Sequence, residues 1–274
     1  MLLLRDKSLI MPRIPKQPGS GFLAIIFLLL LLSCGTKEKK LHIAVSKSSP
    51  NYTQWLKSAD PDIEITDLYS LSTEKATAML LKCDGMLLTG GEDVYPGWYG
   101  MESEAGRCTG FDRRRDSLEM ELLHRAIGLK MPVLGICRGH QLINVYLGGK
   151  SIVDIPSDFG QSVKHMCSDY RACSHEVYLR KNTLLYRISG CDSAMVTTNH
   201  HQAAGIIAPM LTVNARAADG LIEGEEWSEP VEKSFLIGVQ WHPERMDKSN
   251  PLSGKLAGKF ISECEKYSKI KIPL

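Results

Sequence analysis

The chain of 274 residues predicts an α/β fold: one domain built on a doubly wound, mostly parallel sheet flanked by helices. Three observations carry that prediction. Short β-rich runs alternate with amphipathic helical stretches from Leu41 to Gly149. A glycine-flanked strand-to-helix turn stands at 135–139. The composition, 43% hydrophobic and 23% charged, is that of an ordinary globular protein.

Taken in order, Leu41–Val45 and Ile63–Leu68 read as strands, with a helix near Tyr52–Ser58 between them. Thr73–Lys82 reads as a helix and Gly85–Leu88 as a buried strand that runs into Thr89-Gly90-Gly91. Asp112–Leu129 is the longest helical pattern, with Leu118, Leu122, Ala126 and Leu129 at helical spacing. Met131-Pro132 stops it, and Val133–Ile136 begins the next strand. A helix over Gly139–Leu147 ends at Gly148-Gly149, a helix-terminating signature. Beyond it the pattern changes to mixed or antiparallel strands at His175–Leu179, Met195–Thr198, Leu211–Ala217 and Phe235–Gln240. A final helix covers 253–267. No repeat, low-complexity run or Pro/Ser-rich linker follows Lys40, so one domain over 41–270 is expected.

The first 33 residues differ in character. Arg5, Lys7, Arg13 and Lys16 stand against Asp6 alone, and beyond them acids and bases nearly balance. The eleven apolar residues Phe22–Leu32 would span about 16 Å as a helix, about half a bilayer core. Basic region plus short apolar run is the signal-peptide pattern, with Met11 as an alternative start. Leu31-Leu32-Ser33-Cys34-Gly35 resembles the lipobox of bacterial lipoproteins, which implies lipidation at Cys34 and a polar tether over 34–40. The expected location is therefore the bacterial cell envelope, with membrane contact through the N-terminal lipid only.

The net charge of +2, with no basic stripe, removes the electrostatic case for nucleic-acid binding. Eight cysteines include Cys34 and Cys137; the other six are Cys83, Cys108, Cys167, Cys173, Cys191 and Cys264. Export permits disulfides, and Cys167 with Cys173 is suited to close a short loop, but the sequence assigns no pairs.

The chemistry centres on Gly135-Ile136-Cys137-Arg138-Gly139. Glycines on both sides of Cys137 suit the thiol form of a nucleophile elbow, which projects the side chain at a helix N-terminus whose partial charge favours thiolate. Phe235–Glu244 reads as an apolar strand ending in His242-Pro243-Glu244. Residues two apart in extended chain face the same way. Glu244 is thus placed to accept from one imidazole nitrogen, leaving the other for the thiol proton. Gly90-Gly91 lets backbone approach a ligand closely, though a plain tight turn has the same signature.

These segments resemble class I glutamine amidotransferase-like proteins, and within them the γ-glutamyl-γ-aminobutyrate hydrolases (peptidase C26-like). The matching stretches are Gly135–Gly149, Val239–Glu244, Thr89–Pro96 with Tyr99, Arg115-Asp116 with Glu119, Asn199–Gln202, and Asp219-Gly220 with Ile222-Glu223. They cover 41–260. The departures are Gly224, where the family usually has Ala, and Thr197-Thr198 in place of Asn-Ser. The resemblance implies a flavodoxin-like architecture with a mixed-strand extension. It also implies Cys137 as nucleophile, His242 as base, Glu244 as its orienter, and an oxyanion hole from the backbone N–H groups of Gly91 and Arg138.

Gly90, Gln141, His200 and His201 would line a pocket for the glutamyl head. The adjacent histidines are compatible with a metal pair, but no ligand set at the usual spacing accompanies them, so no metal and no cofactor is expected. The expected activity is cleavage of a γ-glutamyl amide through a thioester and water, with a small-molecule γ-glutamyl compound as the partner and a homodimer left open. The alternatives are an amidotransferase subunit and a lipid-anchored, non-catalytic binding protein of the same fold.

Overall fold

In the computed structural model, residues 40–169 and 171–271 are described. The leader, Cys34 and most of the tether lie outside them. Four βα steps build the first half: β1 (His42–Val45), α1 (Pro50–Ala59), β2 (Glu64–Asp67), α2 (Thr73–Leu80), β3 (Gly85–Leu88), α3 (Arg113–Gly128), β4 (Val133–Ile136) and α4 (Arg138–Tyr146). After β5 (Lys150–Ile152) and α5 (Ile155–Asp158) come β6 (Ser174–Leu179), α6 (Leu184–Ser189), β7 (Ser193–Thr197) and β8 (Ala203–Ile206). The chain then forms β9 (Leu211–Ala217), β10 (Ile222–Trp227), β11 (Leu236–Val239) and α7 (Gly254–Ile270).

The main sheet has nine strands in the order β2-β1-β3-β4-β11-β10-β9-β6-β7. Its first five strands are parallel, and its other neighbours are antiparallel. β5 and β8 form a separate antiparallel pair. The α/β class and the mixed-strand extension expected from the sequence are both present.

Two apolar layers cover the parallel half, and the strand period of two assigns residues to each. Ile43, Val45, Leu87, Leu134 and Ile136 pack against Trp55 and Leu56 of α1 and Leu256 and Phe260 of α7. Ala44, Met86, Leu88 and Val133 face Leu80 of α2, Leu118 and Leu122 of α3, and Leu142 of α4. With both faces covered, β3, β4 and β11 are buried along their whole length.

Most expected elements stand within two or three residues of their sequence bounds. β5, α5, α6, β8 and β10 are not expected from the sequence, and the last is the most instructive: its sequence Ile-Glu-Gly-Glu-Glu-Trp contains three acids and is nonetheless buried throughout. Buried carboxylates need partners, and each of these faces nitrogen groups on other elements. Glu226 accepts from the Leu185 amide at 3.0 Å and from Asn214 at 3.1 Å, closing the start of α6. Glu225 Oε1 lies 3.2 Å from His140 Nδ1, and Glu223 faces a group of histidines. Cys167 and Cys173 are disulfide-bonded across the loop before β6.

The parallel register brings the candidate residues to one edge. Leu88 pairs with Gly135 and Ile136 with Val239, so β3, β4 and β11 end side by side. Carboxyl ends of parallel strands are where doubly wound folds place ligands.

Candidate active site

β4 breaks at Cys137 and α4 starts at the next residue, so the thiol sits at a helix N-terminus. Cys137 has φ 52° and ψ −107°, a conformation that costs a non-glycine residue roughly 1–3 kcal/mol. Its surroundings enforce it. The Cys137 amide donates to Val239 O at 2.8 Å, and the Gln141 amide returns to Cys137 O at 3.2 Å. Gly139 stands directly against the Leu88 backbone, where a Cβ would collide with the carbonyl. The elbow glycine is therefore a packing requirement, because its own backbone is ordinary helix.

His242 follows β11, its amide bonded to Thr197 O at 2.9 Å. Its Nδ1 lies 2.8 Å from Glu244 Oε1, and both side chains are buried. The pairing is not made in extended chain as the sequence pattern suggests: Pro243–Arg245 is a 3₁₀ turn that folds Glu244 back beneath the ring. Burial lowers the His242 pKa. The charge and hydrogen bond of Cys137, then those of Glu244, outweigh it and push the value up to about 9.

The Thr89-Gly90-Gly91 turn is clamped from behind by Arg115. Its Nη2 donates to Thr89 O at 3.1 Å, Thr89 Oγ1 at 3.0 Å and Gly90 O at 2.9 Å. In a trans peptide the N–H points opposite to the C=O. Holding Gly90 O toward Arg115 therefore turns the Gly91 N–H the other way. Gly91, at φ 148°, lines a cavity of about 280 Å³ together with Cys137, Arg138 and Gln141. Arg115 fills the place a Gly91 Cβ would need.

The four expected pocket residues divide. Gly90 has both backbone groups engaged within the protein, its N–H with the Tyr52 hydroxyl at 2.9 Å and its carbonyl with Arg115. Its contribution is thinness: a side chain there would press on His242, Tyr52 and Cys137. Gln141 lines the cavity, but its amide nitrogen donates to Gln202 O at 3.0 Å and Gln240 Oε1 at 3.1 Å. His201 also lines it, held by Asp93 at 3.1 Å and Asp154 at 3.4 Å. His200 lies in the wall, with its Nε2 directed at Glu223.

Sequence reasoning missed Tyr52. Burial, then the charges of Glu244 and Cys137, hold its phenol well above the ordinary range, so it stays protonated beside the thiol. A tyrosine on the amphipathic face of α1 carries no pattern that separates it from core.

A second cavity of about 550 Å³ shares Thr109, Met166, His200 and His201 with the first and extends over Asp154, Ile155, Pro156 and Lys164.

The chain is similar to known proteins in sequence and in fold. The model of the family described as Peptidase C26 matches residues 42–244. Protein NtpR of Enterococcus hirae is 35% identical over 195 residues, covering 70% of this chain and 80% of that protein. Gamma-glutamyl-gamma-aminobutyrate hydrolase PuuD of Escherichia coli is 32% identical over 196 residues, covering 69% of this chain and 75% of that protein. The glutaminase domain of Trypanosoma brucei CTPS superposes with a TM-score of 0.57 at 17% identity, over 83% of this chain and 94% of that one. At that identity the likeness concerns the fold.

Proposed function

The chain belongs to the Peptidase C26 family, and from that premise we propose that it hydrolyses the γ-amide bond of γ-glutamyl compounds through a thioester on Cys137. The family and the curated relatives support a hydrolase of the glutamine amidotransferase-like kind. The observation that carries the finer reading is the backbone of Cys137. A positive φ of 52° at the mouth of α4 has a use if the thiol must stand beside His242 and face the cavity.

In this mechanism the Cys137 sulfur attacks the γ-carbonyl carbon and a C–S bond forms. The carbonyl oxygen becomes an oxyanion that accepts from the Gly91 and Arg138 amides. One such donor contributes on the order of 3–4 kcal/mol to the transition state. His242, protonated in the resting pair with Cys137, donates to the leaving nitrogen and the C–N bond breaks. His242 then accepts a proton from water as that water attacks the thioester, releasing glutamate and restoring Cys137. Glu244 touches only His242 in this scheme and fixes the ring. The leaving amine extends toward the larger neighbouring cavity.

The enzyme is placed at the bacterial cell envelope, held by a lipid on Cys34. Among the described residues no helix is long and apolar enough to cross a membrane.

The test is a matched pair of substrates, one amine linked through the γ-carboxyl and through the α-carboxyl of glutamate. Hydrolysis of the γ-linked member alone, abolished by Cys137→Ala, is the expected result. Equal cleavage of both would keep the nucleophile and overturn the substrate class. Ammonia release from glutamine without γ-glutamyl amide hydrolysis would favour an amidotransferase subunit.

A further inference from the structure

Behind the cavity wall, three imidazoles surround one carboxylate oxygen. His175 Nε2 lies 3.2 Å, His165 Nδ1 3.3 Å and His200 Nε2 3.6 Å from Glu223 Oε1. All four side chains are buried, and they come from four separate segments. His175 is on β6 and Glu223 on β10; His165 and His200 are on the loops that line both site cavities. We infer that His165, His175 and Glu223 form a site for a divalent transition-metal ion of the zinc class, with His200 beside it, distinct from the Cys137 centre.

The protons argue first. His200 Nδ1 stands 2.8 Å from the Gln202 carbonyl, which only accepts, so Nδ1 carries the hydrogen. In the neutral ring, Nε2 then presents a lone pair to Glu223. His165 repeats the arrangement: Nε2 faces Asp219 Oδ2 at 2.9 Å, and Nδ1 is turned to Glu223. His200 Nε2 and Glu223 thus meet as acceptors in a dry interior, whereas His165 stands between two carboxylates. None of His165 Nδ1, His175 Nε2, His200 Nε2, Glu223 Oε1 and Glu223 Oε2 has a hydrogen-bond partner among the described residues. The rings stand at centroid distances of 4.7, 5.1 and 6.3 Å, and a dication between His165, His175 and Glu223 would engage their three facing atoms at once.

The distances argue second. Ligands about 2.0–2.1 Å from a tetrahedral zinc stand about 3.3–3.4 Å apart along each edge. The His175 and His165 contacts of 3.2 and 3.3 Å to Glu223 are close to that edge length and long for hydrogen bonds. The ligand atoms of His165, His175 and Glu223 lie mutually within 4.8 Å.

The outer partners argue third. An imidazole ligand commonly donates its second nitrogen to a carboxylate or a backbone carbonyl, which fixes the tautomer. Asp219 occupies that position for His165. Asp219 is in turn fixed by the Leu221 amide at 3.0 Å. Between His165 and His175 the chain is also stapled by Cys167–Cys173. Nitrogen-rich donors favour zinc, copper or nickel over calcium or magnesium.

The test uses the full chain, stripped with chelator, titrated with Zn²⁺ alone and desalted, with retained metal measured by mass spectrometry. One equivalent per chain is expected, together with a rise in melting temperature that chelator reverses. Co²⁺ should give the visible absorption of a four-coordinate site. His175→Asn and Glu223→Gln should each lower retained zinc at least tenfold, whereas Cys137→Ala should leave it unchanged. Failure of folded wild-type protein to retain zinc would overturn the site, even if both ligand variants fail to fold. Loss of zinc in Cys137→Ala with retention in His175→Asn would assign the metal to the thiol and overturn it equally. None of these readouts depends on γ-glutamyl turnover, so the metal site and the proposed activity fail separately.

Discussion

Arg115 and Arg138 meet on opposite oxygens of Glu119: Arg115 Nε donates to Oε1 at 2.8 Å, and Arg138 Nη1 binds Oε2. All three side chains are buried. Arg138 also binds Asp116, whose other oxygen accepts the Tyr95 amide at 3.1 Å. Arg115 clamps the Gly90 carbonyl, and Arg138 is the residue after Cys137. One carboxylate on α3 therefore couples the two halves of the proposed oxyanion hole.

Breaking that bridge should act on the chemical step before it acts on substrate binding. Glu119→Gln keeps the shape and removes the charge, so kcat is expected to fall tenfold or more, with KM changed far less. Glu119→Ala removes the carboxylate that both buried guanidiniums share, leaving Arg115 to Glu92 and Arg138 to Asp116, and should cost about 3–5 kcal/mol of stability. Denaturant unfolding of both variants, set beside steady-state kinetics, checks the pair. An unchanged kcat in folded Glu119→Gln would detach the network from the oxyanion hole.

His242 gives the pH dependence a definite sign. Its pKa is raised in the folded protein, to about 9 against an ordinary value near 6.5. The folded state therefore binds the proton more tightly, and this stabilisation is fully present below about pH 6.5. It fades as pH rises and is lost through about pH 9. Wild type should lose stability between pH 7 and 10 relative to His242→Ala, measured by denaturant midpoint at each pH. Glu244→Gln removes one of the groups that raise the pKa and should shift the loss to lower pH.

The parallel half was legible because its signals are local. β3 and β4 are continuous apolar runs whose observed bounds coincide with those expected, and Gly135 and Gly139 mark the elbow by packing needs that only glycine meets. β10 was not legible. Glu223, Glu225 and Glu226 look like solvent-facing residues until His165, His140 and Asn214 arrive from distant segments to meet them. The same reason hid the histidine cluster. His165, His175, His200 and Glu223 show no ligand spacing in sequence, because β6, β10 and two loops bring them together only in the fold. Gln141 and Gly90 were found as positions, yet their polar groups face inward partners that the motif does not reveal.

Thiol labelling should separate Cys137 from the other cysteines. Burial pushes Cys83 up to about 12 and raises Cys264 and Cys108. The thiolate is the reactive species, so those three should alkylate slowly at neutral pH. Cys137, beside an imidazole that stays protonated to about pH 9, is expected to react at least tenfold faster. Peptide mapping after brief iodoacetamide exposure reads this directly. His242→Ala should remove most of the advantage, and uniform labelling of the folded protein would count against the pair.

At the N-terminus, the proposed lipid anchor predicts a mature chain that begins at a modified Cys34 and partitions with membranes. Mass analysis of detergent-extracted protein measures both properties. Cys34→Ala should accumulate as unprocessed precursor, while an unmodified N-terminus at another position would overturn the anchor.

The larger cavity predicts how tolerant the enzyme is of the leaving amine. It adjoins the thiol pocket through His201 and Met166 and is walled by Ile155 and Pro156. About 550 Å³ is room for an amine well beyond ammonia. Filling it should therefore discriminate by amine size and leave the glutamyl head untouched. Ile155 is 2% exposed, so enlarging it would strain the core. Met166 is 51% exposed and is the better site for a bulky replacement. Met166→Trp should raise KM for γ-glutamyl derivatives of long or branched amines by about tenfold, roughly 1.4 kcal/mol of lost contact. Hydrolysis of the smallest γ-glutamyl amide should stay within about twofold of wild type, because its transition state is bounded by Cys137, Gly91 and Arg138 rather than by this wall. Equal losses for small and large amines would place the leaving group elsewhere.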